Sequence, residues 1–252
     1  MRAGLKPRPP LRGLIHRMTV LFWDIDGTLL TTAKGGMFAW DDAVKDITGR
    51  EFQLQSMRIP GMTDYQIAAR TFEMLGLERT EALTHELVRR YEELLPTSLP
   101  RRTGHVLPNV REVLQHLRTR PDVTSYLLTG NTRGGATAKL THYGLIDFFP
   151  TGAFAEDTRE RATIAERALA LAREAGPVSE HDVFVIGDTP HDIECANAIG
   201  VRTIAVATGG YSVDELRAHR PWRLFDELPA PDAFMWLIDV ERRDLLPERA
   251  PA

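Results

Sequence analysis

Short apolar runs that end in polar turns recur along the chain: TVLFWDID (19–26), TSYLLTGN (124–131), DVFVIGDT (182–189) and VRTIAVATGG (201–210). They are continuous and rich in Val, Ile, Leu and Phe, which predicts strands buried on both faces, hence parallel. DFFPTGAF (147–154) is a weaker fifth candidate. The segments between them carry a helical period. NVREVLQHLRTR (109–120) places Val110, Val113, Leu114 and Leu117 on one face. ATIAERALALAREA (162–175) does the same with Ile164, Ala168, Leu169 and Leu171, and Gly176 and Pro177 then stop it. Strand and helix alternating in this way predict an α/β fold: a doubly wound, Rossmann-like parallel sheet of about five strands.

One section breaks the rhythm. Residues 32–105 contain no convincing strand, and 38–49, 63–75 and 80–95 read as helices closed by Gly49, Gly76 and Pro96. The expected organisation is a catalytic core over 18–31 and 106–252, with an inserted α-helical cap over 32–105. Its hinges are expected near 31–36 and 99–108. Residues 1–17 are basic and proline-rich and lack the apolar stretch of a secretory signal, so they are expected to be a flexible tail. Met18 directly precedes the first strand and is a candidate start of the native chain. The end, LLPERAPA, is expected to fray.

Composition narrows the partners. The 252 residues are 43% hydrophobic and 26% charged with a net charge of -4, which is ordinary for a soluble protein. No broad basic field points to nucleic acid or an anionic membrane surface. No apolar run approaches the roughly 20 residues that span a bilayer. The single cysteine, Cys195, rules out an intrachain disulfide and fits a reducing, cytoplasmic setting. Its place in a helical pattern reads as packing rather than as a reactive thiol. Both a monomer and a homodimer are compatible with the sequence.

The candidate chemistry lies at the strand ends, where open parallel sheets bind ligands. The first run ends in Asp24 and Asp26, the second in Thr129, Gly130 and Asn131, and DVFVIGDT in Asp188 with Asp192 close behind. Four carboxylates at one rim repel one another unless a cation sits among them. A hard divalent ion with oxygen ligands, Mg²⁺ first, is the natural resolution. Gly27 allows a close reversal after Asp26, and Thr28 offers a hydroxyl to the backbone or to a ligand.

The motifs DIDGTL, LLTGN and GDTPHDIECA resemble motifs one, two and four of the haloacid dehalogenase superfamily, over about residues 18 to 225. GMTD (61–64) and TGGYS (208–212) are similar to its phosphoglycolate-phosphatase-like subgroup. The resemblance implies a Mg²⁺-dependent phosphatase of a small phosphorylated metabolite, phosphoglycolate being the first expected substrate. It implies that Asp24 is the nucleophile that forms an aspartyl-phosphate, and that Asp26 is the general acid and then base. Thr129 would bond a phosphoryl oxygen, with Gly130 and Asn131 beside the substrate. Asp24, Asp188 and the Asp26 backbone carbonyl would hold the ion, and Asp192 would orient its water shell or the third-motif cation. That cation is often a lysine, but EDTRERATI (156–164) contains none. Arg161 is the expected replacement, with Arg159 and Lys139 as alternatives; Lys139 would otherwise contact substrate. Thr63 and Asp64 are either substrate contacts or the cap and first-turn acid of a helix. The alternative functions are a phosphotransferase such as a sugar-phosphate mutase, and a haloacid dehalogenase. Asp26 argues against the latter, since those members resemble the Asp24 chemistry but lack the second aspartate.

Overall fold

The computed structural model describes residues 18–156 and 160–244. The readings of the tail, of the C-terminal end and of Arg159 lie outside these residues. The chain runs β1 (Thr19–Trp23), β2 (Leu30–Thr31), α1 (Gly35–Thr48), α2 (Asp64–Met74), α3 (Glu81–Ser98), β3 (His105–Val106) and α4 (Val110–Leu117). It continues through β4 (Val123–Leu128), α5 (Arg133–His142), β5 (Gly152–Ala153), α6 (Arg161–Ala175), β6 (Val183–Gly187) and α7 (Pro190–Ala198). It ends with β7 (Arg202–Val206), α8 (Val213–Ala218), β8 (Arg223–Phe225) and α9 (Pro231–Asp244).

The central sheet has the order β5-β4-β1-β6-β7-β8, and every neighbouring pair is parallel. Side chains of β1 alternate between two cores. Val20 and Phe22 join one apolar cluster, while Leu21 and Trp23 join the other on the opposite face. Burial on both faces explains why the strand is apolar throughout; each large side chain contributes on the order of 1.5–3 kcal/mol. Trp23 stacks on Phe234 at 5.7 Å, and its indole N–H donates to Ser125 Oγ at 3.2 Å, so no buried donor is stranded. Trp23 pairs with Leu127 on one side and Ile186 on the other. This register brings the ends of β1, β4 and β6 to one edge, at the point where the strand order reverses.

The sheet has six strands where about five were expected. The extra one, β8, is a three-residue edge strand, too short to show a period. Only Gly152–Ala153 of DFFPTGAF pairs with β4, and Ile146–Phe148 forms a 3-10 turn instead. Pro96 does not end its helix: α3 continues to Ser98. In the last turn a proline costs one backbone donor, and burial of Leu95, Ser98 and Leu99 offsets it.

Helices α1–α3 lie between β2 and β3, which pair antiparallel through Leu30–Val106 and Thr31–His105. The chain thus leaves and re-enters the sheet layer through one two-residue ribbon. Helix α1 packs on α3, and α3 also meets α2 and α5. Trp40 is buried edge-on against Tyr91 at 5.0 Å, with its N–H donated to Thr71 Oγ1 at 3.1 Å. No helix among the described residues is long and apolar enough to cross a membrane.

Candidate active site

Asp24 is the first residue past β1, and its N–H reaches across to the Ile186 carbonyl of β6 at 3.0 Å. The chain then turns sharply. Gly27 adopts φ +83° and donates to the Leu30 carbonyl at 2.9 Å. A Cβ on Gly27 would lie 2.4 Å from Asp188 Oδ2, so glycine is required both for the turn and for the approach of that carboxylate. The Thr28 hydroxyl donates to Asp188 Oδ1 at 3.1 Å.

Asp24, Asp188 and Asp192 form a buried cluster in which each offers an oxygen within 4.8 Å of the others. Two unit charges at that separation repel by about 3 kcal/mol at an effective dielectric near 20. Burial, then the charge of Asp192, pushes the Asp24 carboxyl from its ordinary 3.8 up to about 7, against the opposing pull of Arg161. Burial, Asp192 and Asp24 likewise hold Asp188 well above the usual range. An all-oxygen set of three buried carboxylates fits a hard divalent cation, whose charge removes this mutual penalty.

The fourth carboxylate departs from the expected arrangement. The Asp26 side chain is 43% exposed and, though it lines the same cleft, does not join the buried trio. Its Oδ2 accepts from Lys139 Nζ at 2.5 Å and Asn131 Nδ2 at 2.9 Å. Lys139 also donates to Asn131 Oδ1 at 2.6 Å. Burial works against the Lys139 charge, but Asp26, Tyr91 and Asp64 outweigh it and its pKa is raised.

Arg161, at the start of α6, is the cation beside Asp24. Its guanidinium donates to Asp192 Oδ1 at 2.7 Å, to Asp24 Oδ1 at 3.4 Å and to the Gly61 carbonyl at 3.0 Å. Burial opposes its charge, yet Asp192 and Asp24 raise its pKa. Asp192 has its other oxygen engaged by the Thr189 N–H at 3.0 Å and hydroxyl at 2.6 Å, completing a capping box at the start of α7. Both Asp192 oxygens are therefore engaged within the protein. Arg161→Ala is expected to lower turnover about 10²–10³-fold and, by leaving Asp192 buried without its partner, to destabilise the fold by about 3–5 kcal/mol. Steady-state kinetics and a urea midpoint check both; near-wild-type values remove Arg161 from the site.

Thr129 is fully buried, accepts from Asn131 Nδ2 at 2.9 Å and hydrogen-bonds Asp24. Gly130 and Asn131 line the cleft. Thr63 does not meet the expectation of a substrate contact. It is fully buried and caps α2, its hydroxyl accepting from Gln66 N while Gln66 reaches back to the Thr63 N–H. Asp64 combines both expectations: it opens α2, lines the cleft, and accepts from the Thr132 N–H at 2.8 Å. Burial lifts its carboxyl to about 6, with Lys139 opposing. Cys195 packs in α7, where burial pushes its thiol up to about 12.

Several site residues had no readable role in the sequence. Glu92 of α3 accepts from the Thr132 hydroxyl, joining the helical block to the loop after β4. Gly209 is packed so closely that a Cβ would lie 1.7 Å from Asp188 Oδ2. The glycine pair after β7 was the available signal for Gly209; Glu92 carries none. Asp24, Asp26, Asp64, Lys139, Arg161 and Asp188 line a cleft of about 400 Å³ between the strand ends and α1–α3.

The structure thus joins a doubly wound α/β sheet to carboxylates gathered at the ends of β1 and β6. Residues 20–206 match the family model of haloacid dehalogenase-like hydrolases, and the chain belongs to that family. A curated relative, "Probable phosphatase IndB" of Dickeya dadantii (strain 3937), is 26% identical over 209 residues, 82% of this chain and 89% of the relative. Two solved structures share the fold. A predicted phosphoglycolate phosphatase from Haemophilus somnus 129pt superposes with a TM-score of 0.66 at 18% identity, covering 90% of this chain and 99% of that one. CbbY from Rhodobacter sphaeroides, in complex with phosphate, gives a TM-score of 0.67 at 15% identity, covering 83% and 94%.

Proposed function

We propose that the chain is a divalent-metal-dependent phosphatase that hydrolyses a small phosphomonoester through a phosphorylated Asp24. The observation that carries the reading is the buried trio of Asp24, Asp188 and Asp192 within 4.8 Å, faced by one guanidinium. The family and the phosphatase relative support it. Asp24, Asp188 and the Asp26 backbone carbonyl would hold the ion, with Mg²⁺ first among candidates. When bound, it supplies the positive charge that lets neighbouring carboxylates stay ionised together and that offsets the phosphoryl oxygens.

Asp24 attacks phosphorus, and the bond from phosphorus to the leaving oxygen breaks as the Asp24–phosphoryl bond forms. Asp26 gives the proton that the leaving oxygen requires. In the second half Asp26 takes a proton from water, the water oxygen attacks phosphorus, and the bond to Asp24 breaks to release inorganic phosphate. Lys139 and Asn131 hold Asp26 in place. Arg161 neutralises phosphoryl charge. Thr129 steadies Asp24, and Gly130 and Asn131 border the phosphoryl group. Helices α1–α3 act as the cap, excluding bulk water and selecting the leaving group.

Acid-quenching the Mg²⁺-loaded protein during turnover of a phosphomonoester, followed by peptide mass spectrometry, tests this directly. The expected result is a phosphoryl group on the peptide that contains Asp24, together with release of inorganic phosphate. A label on another residue, or return of the phosphoryl group to a sugar hydroxyl seen by phosphorus NMR, contradicts it.

A further inference from the structure

The cleft is divided between two chemistries. Its floor, from the strand ends, is polar: Asp24, Asp26, Asn131, Arg161 and Asp188. Its roof, from α1, α2 and the loop between them, is Met37, Trp40, Leu54, Ile59, Met62 and Ile67. These six side chains belong to, or pack against, one apolar cluster, which fixes them as a wall. With phosphorus over Asp24, the rest of the substrate extends toward that wall.

Charge along the cleft adds a second constraint. Among the described residues, its lining holds four carboxylates, of Asp24, Asp26, Asp64 and Asp188, and three cations, of Lys34, Lys139 and Arg161. Two of the cations are committed to the floor: Arg161 to Asp24 and Asp192, and Lys139 to Asp26. Lys34 is exposed, with its Nζ 3.5 Å from Gln55 Oε1, itself an exposed side chain. The buried ionisable carboxyl on the roof side is that of Asp64, another acid. Among the described residues, a carboxylate on the leaving group would meet apolar walls and a like charge, and the cleft cation not paired with an acid, Lys34, is exposed rather than buried.

We infer that the leaving group of this enzyme is neutral and presents apolar surface to the wall formed by Met37, Ile59 and Met62. The inference rests on the phosphatase reading above and narrows its substrate class to phosphomonoesters of uncharged, largely apolar alcohols. It separates this cleft from one shaped for phosphoglycolate, whose leaving group carries a carboxylate.

Three unreactive phosphonates test it: benzylphosphonate, 4-carbamoylbenzylphosphonate and 4-carboxybenzylphosphonate. The last two differ in charge and hardly in shape. Their dissociation constants for the Mg²⁺-loaded protein are measured by calorimetry, with phosphate release from benzyl phosphate followed in parallel. The two neutral analogues are expected to bind about tenfold or more tightly than the carboxylate. Met37→Lys is expected to strengthen binding of the carboxylate by about fivefold or more and so narrow the ratio. Equal or tighter binding of the carboxylate overturns the inference, as does failure of all three to bind, or an unchanged ratio in Met37→Lys. Preference for the neutral analogues without phosphate release strikes the phosphatase reading alone. Phosphate release with no preference among analogues strikes this inference alone.

Discussion

Asp24→Asn is expected to reduce turnover of any phosphomonoester substrate by about 10⁴–10⁶-fold while the protein still folds. The amide has the shape of the carboxylate but is no nucleophile toward phosphorus. The fold tolerates the change because Asp24 is not a favourable charge where it sits: burial and Asp192 raise its pKa from 3.8 to about 7. A raised folded-state pKa means stability that is complete below the unfolded value and lost as pH climbs through the folded value. In the absence of metal, the wild-type urea midpoint is therefore expected to fall between about pH 4 and pH 7. In Asp24→Asn that fall is expected to be smaller. Retained turnover in the variant removes Asp24 as nucleophile; equal pH slopes remove the account of its charge.

Removal of divalent ions is expected to have the second-largest effect. EDTA should lower turnover by about 10³-fold or more, and Mg²⁺ should restore it. The same ion should raise the thermal midpoint at pH 8, where the repulsion among Asp24, Asp188 and Asp192 is greatest, and less at pH 5, where Asp24 holds its proton. Ca²⁺ prefers more ligands and longer bonds, so it should stabilise the fold more readily than it restores turnover. Turnover indifferent to both EDTA and Mg²⁺ contradicts this account.

The framework was legible in the sequence because β1, β4, β6 and β7 are buried on both faces and so stand out as unbroken apolar runs. Their polar ends marked the rim, and register then brought Asp24, Thr129 and Asp188 together. What the sequence did not carry was direction. Asp26 was placed with the other acids, yet its side chain follows Lys139 and Asn131, more than a hundred residues away in the chain. Thr63 read equally as a cap or a ligand contact, and only the Gln66 bond decides it. Edge strand β8 has too few residues for a pattern. Pro96 sits in a last turn where tertiary burial outweighs a helix-breaking residue. The packing of Gly27 and Gly209 against Asp188 is invisible locally, because the residue that forbids a side chain comes from another strand end.

The central claim is that Asp24 and Asp188, beside the buried Asp192, hold one divalent ion. Calorimetric titration of the metal-free protein with Mg²⁺ at pH 8 tests it most directly, with Asp24→Asn and Asp188→Asn measured alongside. The expected result is saturable binding of one ion per chain in the wild type and at least about tenfold weaker binding in each variant. No saturable binding, or the same affinity in all three proteins, contradicts it.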